Sequence, residues 1–145
     1  MDVTKEFTDL QFLHILQKAF QSDLITDAMC KRVTAIRVID KDIRDLSGVE
    51  YFVNLEYLNI AYNNIERLDL SHNLSLKELY CYKNDIEALI LPDSHMRIIS
   101  IYGNSKLLNF PKYQADKVIT EEKQLIQLKA YKRNKTNNKK DVKVL

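Results

Sequence analysis

An apolar pattern recurs four times between residues 33 and 101, and it limits the folds open to this chain. Each copy has apolar residues at its first, fourth and sixth positions, and the copies begin at Val33, Leu55, Leu76 and Met96. The starts are therefore 22, 21 and 20 residues apart. Apolar residues in alternation are typical of a strand with one buried face. Because one repeat cannot bury that face alone, the pattern predicts stacked repeats whose short strands pair in parallel.

A second position also agrees in register between the copies. The eighth residue after the start is Asn63, Asn84 and Asn104 in the last three copies and Lys41 in the first. An asparagine side chain both donates and accepts hydrogen bonds, so it can satisfy backbone groups at the turn that ends a strand. We predict that role here. We expect less regular geometry in the first copy, at Lys41, and in the last, where Lys106 replaces an apolar residue.

Longer stretches resemble bacterial leucine-rich repeat proteins of the internalin type, which have repeats of roughly 21 residues. They are Leu68 to Asn73 (LDLSHN), Leu76 to Asn84 (LKELYCYKN) and Ile43 to Leu55 (IRDLSGVEYFVNL). Residues 7–26 look like the helical cap that precedes such repeats. The resemblance implies an α/β fold: a short solenoid with a parallel β-sheet on its concave face and a helical cap at each end. It also implies protein–protein recognition.

The whole chain, residues 1–145, is predicted to be a single leucine-rich repeat domain. Residues 7–31 are assigned to the N-terminal helical cap, 33–110 to four repeats, 111–132 to the C-terminal cap and 133–145 to a basic tail. Leu10, Leu13 and Leu16 give the first cap helix an apolar stripe, with Thr8 or Asp9 as N-cap. The second helix has a smaller apolar face, formed by Leu125, Leu128 and Tyr131. That helix either docks on the stack or stays in solvent.

The residues between the inner positions of each strand must point outward, and they are the candidate partner-binding surface. They are Arg37, Ile39, Tyr57, Asn59, Glu78, Tyr80, Tyr82, Ser100 and Tyr102. This set holds four of the eight tyrosines. Tyrosine is enriched at interfaces, but tyrosines on adjacent strands can also stack as a ladder, and both interpretations stay open.

The size of this surface sets a condition on binding. Four short strands present on the order of 300 Å², whereas a stable interface needs about 800 Å² from each partner. We therefore expect a partner either to grip a flank or the C-terminal tail as well, or to bind weakly.

The function predicted from these features is a non-catalytic module that binds a protein partner through the concave strand face and flanks. Adaptor, effector and immunity-type roles all fit. The alternative is a nucleic-acid-associated protein, because residues 111–145 hold 10 Lys/Arg against 4 Asp/Glu while residues 1–110 hold 12 against 16. A solvated tail that aids solubility explains the same charges. The sequence does not specify an oligomeric state.

No catalytic, metal or cofactor site is predicted. His14, His72 and His95 lack the spacing of metal ligands, and two glycines cannot build a phosphate-binding loop. Cys30 and Cys81 are interpreted as core thiols, with one disulfide as the alternative. With neither a signal peptide nor a membrane-spanning stretch, a cytoplasmic bacterial protein is expected, or else a trimmed secreted form.

Overall fold

The computed structural model describes residues 1–107, 115–132 and 141–144, except for the side chains of Leu125, Val144 and residues 129–132. Three helices lie in this part of the chain: α1 (Leu10–Phe20), α2 (Asp27–Cys30) and α3 (Glu122–Lys132). Short 3₁₀ turns occupy Thr4–Glu6 and Val49–Tyr51. The strands are β1 (Val33–Arg37), β2 (Tyr57–Asn59), β3 (Arg67–Asp69), β4 (Glu78–Tyr80), β5 (Ala88–Ile90), β6 (Met96–Ser100), β7 (Ala115–Ile119) and β8 (Val142–Val144).

Within these ranges, six strands form one sheet in the order β7-β6-β4-β2-β1-β8. All neighbours pair in parallel except β8, which is antiparallel to β1. Ile36 pairs with Leu58, Leu58 with Leu79, and Leu79 with Ile99. The four copies of the sequence pattern therefore lie side by side in register. The predicted solenoid with a parallel sheet is confirmed.

The inner positions of the strands form the core. Ile36, Leu58, Leu79 and Ile99 are fully buried, as the alternation predicts. Each middle repeat also adds a second short strand, and β3 pairs in parallel with β5. Leu68 of β3 belongs to the same apolar core as Leu58 and Leu79. The core thus lies between the six-stranded sheet and the smaller pair of strands.

Buried asparagines tie the turn of one repeat to the next repeat. Asn63 Oδ1 accepts hydrogen bonds from the backbone N–H groups of Lys41 and Ile43, both at 3.0 Å. Its Nδ2 donates to the carbonyl oxygens of Val38 at 2.7 Å and Ile60 at 2.9 Å. A weaker contact reaches the carbonyl of Ala61 at 3.3 Å. One side chain therefore serves five backbone groups, two donors and three acceptors, and only the bond to Lys41 is part-buried while the others are buried.

The same arrangement repeats along the stack. Asn84 accepts from the N–H of Ile65 at 3.1 Å, and Asn104 accepts from the N–H of Ile86 at 3.0 Å. Each asparagine thus serves the turn of the repeat before its own. The first repeat has no earlier turn to serve, which explains why Lys41 is tolerated there.

The N-terminal helix is attached to the first repeat through its N-cap. Asp9 Oδ1 accepts from the N–H groups of Gln11 and Phe12, while its Oδ2 accepts from the N–H of Arg44 at 2.8 Å. Phe12 and Leu16 are the buried residues of α1. Leu10 is 76% exposed, so its predicted place in the buried stripe is wrong. The buried side of α1 contains Phe12 and Leu16, and Leu10 lies about 200° around the helix from Phe12.

An aromatic cluster holds this helix against the stack. The ring centroids of Phe7, Phe12 and Phe52 lie 5.8 to 6.5 Å apart. Gly48 packs against this cluster: its φ is 98°, and a Cβ at that position would lie 2.3 Å from the Phe7 ring. Only glycine meets both demands.

The C-terminal residues depart from the sequence prediction. Residues 111–132 were assigned to a helical cap, and α3 lies in this range, but Ala115–Ile119 before it is a fifth parallel strand, paired with β6. In the basic tail, Val142–Val144 forms β8. The rest of that tail, residues 133–140, and residues 108–114 lie outside the described part of the chain.

Replacing Asn84 with alanine should destabilise the fold by roughly 2 kcal/mol, because the buried N–H of Ile65 loses its acceptor, while the carbonyls of Ile60 and Cys81 each lose one of two asparagine donors. Urea unfolding followed by circular dichroism measures the change. Asn64→Ala is the matched control, because the exposed Asn64 side chain bonds only an exposed carboxylate, that of Asp42, and its loss should change stability by less than about 0.5 kcal/mol. Equal effects of the two substitutions would contradict the role assigned to the buried asparagines.

Candidate functional site

The candidate residues lie together on the side of the six-stranded sheet that faces away from the core. We call the surface formed by Tyr57, Tyr80, Tyr82, Tyr102 and their neighbours on this side the tyrosine face. The ring of Tyr57 packs on that of Tyr80 with a centroid distance of 5.5 Å. Tyrosines of adjacent strands are therefore in contact, as the ladder interpretation expects. The ladder does not exclude binding.

The tyrosine face is less open than the sequence suggests. Tyr80 is 5% exposed and Tyr82 is 3% exposed. Asn59 and Ser100 are also buried. The other five candidates are only partly exposed; they are Arg37, Ile39, Tyr57, Glu78 and Tyr102.

A second apolar cluster explains the burial. Tyr80 and Tyr82 share it with Ala61, with Ile119 of β7 and with Leu128 of α3. It is separate from the core between the sheets. The helix that follows β7 thus lies over the tyrosine face. We expected α3 to dock at the end of the stack or to remain in solvent, and it does neither.

One residue makes this contact among the described side chains of α3. Leu128 is 8% exposed, whereas Ile126 is 60% exposed. Burying one leucine contributes about 2 kcal/mol. The side chains of Leu125 and Tyr131, the other residues of the predicted apolar face, lie outside the described part. The N-terminus of α3 is fixed by Gln124 Oε1, which accepts from the N–H groups of Thr120 and Glu121.

Hydrogen bonds order the polar groups of the face. The hydroxyl of Tyr80 donates to Glu78 Oε2 at 3.2 Å, and Arg97 lies 3.6 Å from the other oxygen of Glu78. Asn59 Nδ2 donates to the Tyr57 hydroxyl at 3.3 Å. Burial raises the pKa of Tyr57, Tyr80 and Tyr82. The phenols are therefore neutral hydrogen-bonding groups at physiological pH.

The carboxyl ends of the strands carry a feature that the sequence analysis missed. Asp40, Tyr62, Lys83 and Gly103 occupy the seventh position after each repeat start, and all four have positive φ, from 55° to 74°. Glycine adopts this conformation readily, but for other residues it costs roughly 1 kcal/mol. Only in the fourth repeat does the residue type, Gly103, indicate this turn in the sequence.

Tyr62 and Lys83 are bulky side chains at these strained positions. Tyr62 is 49% exposed, and its ring meets Tyr82 edge-on at 5.6 Å. The ammonium of the exposed Lys83 lies 4.8 Å from the centre of the Tyr102 ring. We call Tyr62 and Lys83 the rim of the tyrosine face, because they continue it at the carboxyl ends of the strands.

Chemistry at the cysteines is disfavoured by their environment. Burial raises the pKa of the Cys30 and Cys81 thiols to about 12, so both are protonated at neutral pH. Both are free thiols. Within the ranges that the structure describes, no three His, Cys, Asp or Glu residues are grouped to hold a metal ion. No helix there is long and apolar enough to span a bilayer.

Stability should fall as the pH rises above about 10, because the raised pKa of Tyr80 and Tyr82 lets the unfolded chain lose these protons first. This contribution is complete below the ordinary tyrosine pKa and is lost at higher pH. Urea unfolding at pH 9 and 11 should show a lower free energy of unfolding at pH 11. A Tyr80→Phe/Tyr82→Phe variant should lose less stability over that interval. Parallel curves for variant and wild type would refute the assignment.

Comparison with known proteins identifies the fold. No family model matches the sequence, and no curated protein matches it significantly. Among solved structures, 23 chains match. One is the crystal structure of an internalin, InlF, from Listeria monocytogenes, with a TM-score of 0.51 and 24% identity over 65% of this chain. The matched region spans 33% of that protein. The chain therefore has the fold of a leucine-rich repeat solenoid and is similar in structure to an internalin.

Proposed function

We propose that this chain is a non-catalytic module that binds a protein partner through the tyrosine face and its rim. The observation that carries the proposal is the gathering of five tyrosines from successive repeats at one side of the sheet. Three repeats supply them, and they are Tyr57, Tyr62, Tyr80, Tyr82 and Tyr102. The proposed contact set also includes Arg37, Ile39, Asn59, Glu78 and Ser100.

The chemistry of this surface supports a protein partner over a small ligand. Tyrosine offers a large rigid contact area with a polar hydroxyl, and arginine adds a planar donor group. The face already accommodates polypeptide, since Leu128 of α3 is buried against it. A surface that packs one leucine-bearing helix has the shape and polarity for another protein segment.

The rim adds an independent argument. Two repeats keep Tyr62 and Lys83 at a backbone position where glycine costs less. Strained positions of this kind are found where side chains have a task other than stability. Both side chains are exposed, so folding alone does not account for them. We infer that they contact the partner directly.

Adaptor, effector and immunity-type roles all use such a surface. The solenoid fold alone does not choose between them. The area argument still applies: the tyrosine face with its rim is smaller than a standard interface, so the partner either extends over a flank of the repeats or the tail, or binds weakly.

The rim variant Tyr62→Gly/Lys83→Gly should weaken partner binding by about tenfold or more, which is the effect of a hot-spot residue. A partner is first captured from a lysate of the source cells, then expressed, and its Kd is measured by calorimetry. The stability of the variant should stay within about 1 kcal/mol of wild type, because relief of the positive φ offsets the lost ring contacts.

The matched control lies on the opposite side of the repeats. Arg67 and Glu87 form an exposed ion pair at 3.8 Å beside β3 and β5, and Arg67→Ala/Glu87→Ala removes two exposed side chains of similar size. This control should bind the partner like wild type. The proposal fails if the rim variant keeps full affinity, or if the control loses as much.

A further inference from the structure

We propose that α3 forms a detachable cover on the tyrosine face, which a protein partner must displace before it binds there. The proposal rests on the proposed function, and it adds regulation to it: the folded chain in isolation holds its own binding face closed. We refer to α3 as the cover.

The position of α3 places it on the tyrosine face. The chain leaves the edge strand β7 at Ile119, and α3 begins at Glu122. Leu128 of α3 is buried in the same apolar cluster as Tyr80 and Tyr82. The cover therefore occupies the surface that would bind a partner.

Among the side chains of the cover that the structure describes, a single apolar residue is buried on the face. Among the described side chains of α3, Leu128 is buried and Gln124 is partly exposed. The others point into solvent, and they are Glu122, Lys123, Ile126 and Gln127. A helix that is part of a core presents a broad apolar stripe instead. α1 differs from α3 in this respect, because it buries both Phe12 and Leu16.

The two apolar clusters explain why the cover can leave without unfolding the repeats. Leu58 and Leu79 belong to the core, whereas Leu128 packs in the outer cluster. Displacement of α3 exposes tyrosine rings, which tolerate water through their hydroxyls. The inner core keeps its contacts.

The full-length variant Leu128→Glu tests the cover, with Ile126→Glu as matched control on the same helix. A buried leucine becomes charged in the first, while an exposed isoleucine becomes charged in the second. Nitration of Tyr80 and Tyr82, mapped by mass spectrometry, reports their exposure. Leu128→Glu should raise the nitration rates of Tyr80 and Tyr82 by roughly tenfold or more, as expected when a minor open state becomes dominant. Ile126→Glu should leave them unchanged.

Circular dichroism and the urea midpoint decide what the rates mean. The proposal holds if Leu128→Glu keeps the native spectrum while Tyr80 and Tyr82 become reactive. It is overturned if both tyrosines stay unreactive, and equally if the variant unfolds, because α3 would then be part of the folded core. It is also overturned if Ile126→Glu has the same effect as Leu128→Glu.

A second measurement separates the cover from the proposed function. Leu128→Glu should bind the captured partner about tenfold more tightly than wild type, since no cover has to be displaced. Equal or weaker binding would overturn the regulatory role. If the tyrosines become reactive and no protein binds either form, the cover stands and the protein-binding function fails.

Discussion

The hydrogen bonds of three buried asparagines are the constraint on which the rest of the structure depends. The middle strands have three residues each, so strand pairing alone fixes little of each repeat. Asn63, Asn84 and Asn104 each reach the turn of the preceding repeat from inside the core. A buried backbone group without a partner costs about 1–3 kcal/mol. The asparagines therefore set the register of each repeat against the next one, and with it the alignment of the outward residues.

This register is why the inner half of the fold could be predicted from the sequence. Positions that share one apolar environment repeat with the period of the stack, so Ile36, Leu58, Leu79 and Ile99 are recognisable together. The fifth strand was missed because its copy of the pattern is weak: it has Ala115 and Val118 at the first two positions and Thr120 at the third. Its start nevertheless follows Met96 by 19 residues, which continues the series of spacings.

The outer half of the site was less accessible to sequence reasoning, for a physical reason. The residue types at outward positions do not recur from repeat to repeat, and what covers these positions depends on contacts between distant segments. Val142 and Val144 favour a strand, but three residues do not specify a partner; β8 forms where the edge of β1 offers unpaired backbone groups. Leu128 was assigned to an apolar helix face, but the sequence does not say which surface of the stack receives it.

The cover changes what a partner has to achieve at this face. A segment tethered to its own binding site is present at an effective concentration of the order of millimolar, so a partner competes with it at a disadvantage. Contacts that the cover leaves exposed escape that competition. Tyr62 and Lys83 are such contacts, because they lie at the carboxyl ends of the strands and remain exposed while Tyr80 and Tyr82 are buried. A partner that first engages the rim is held next to the face whenever α3 detaches. The side chains of those two residues, held at positions of positive φ, then allow a partner to recognise the surface while α3 still covers it.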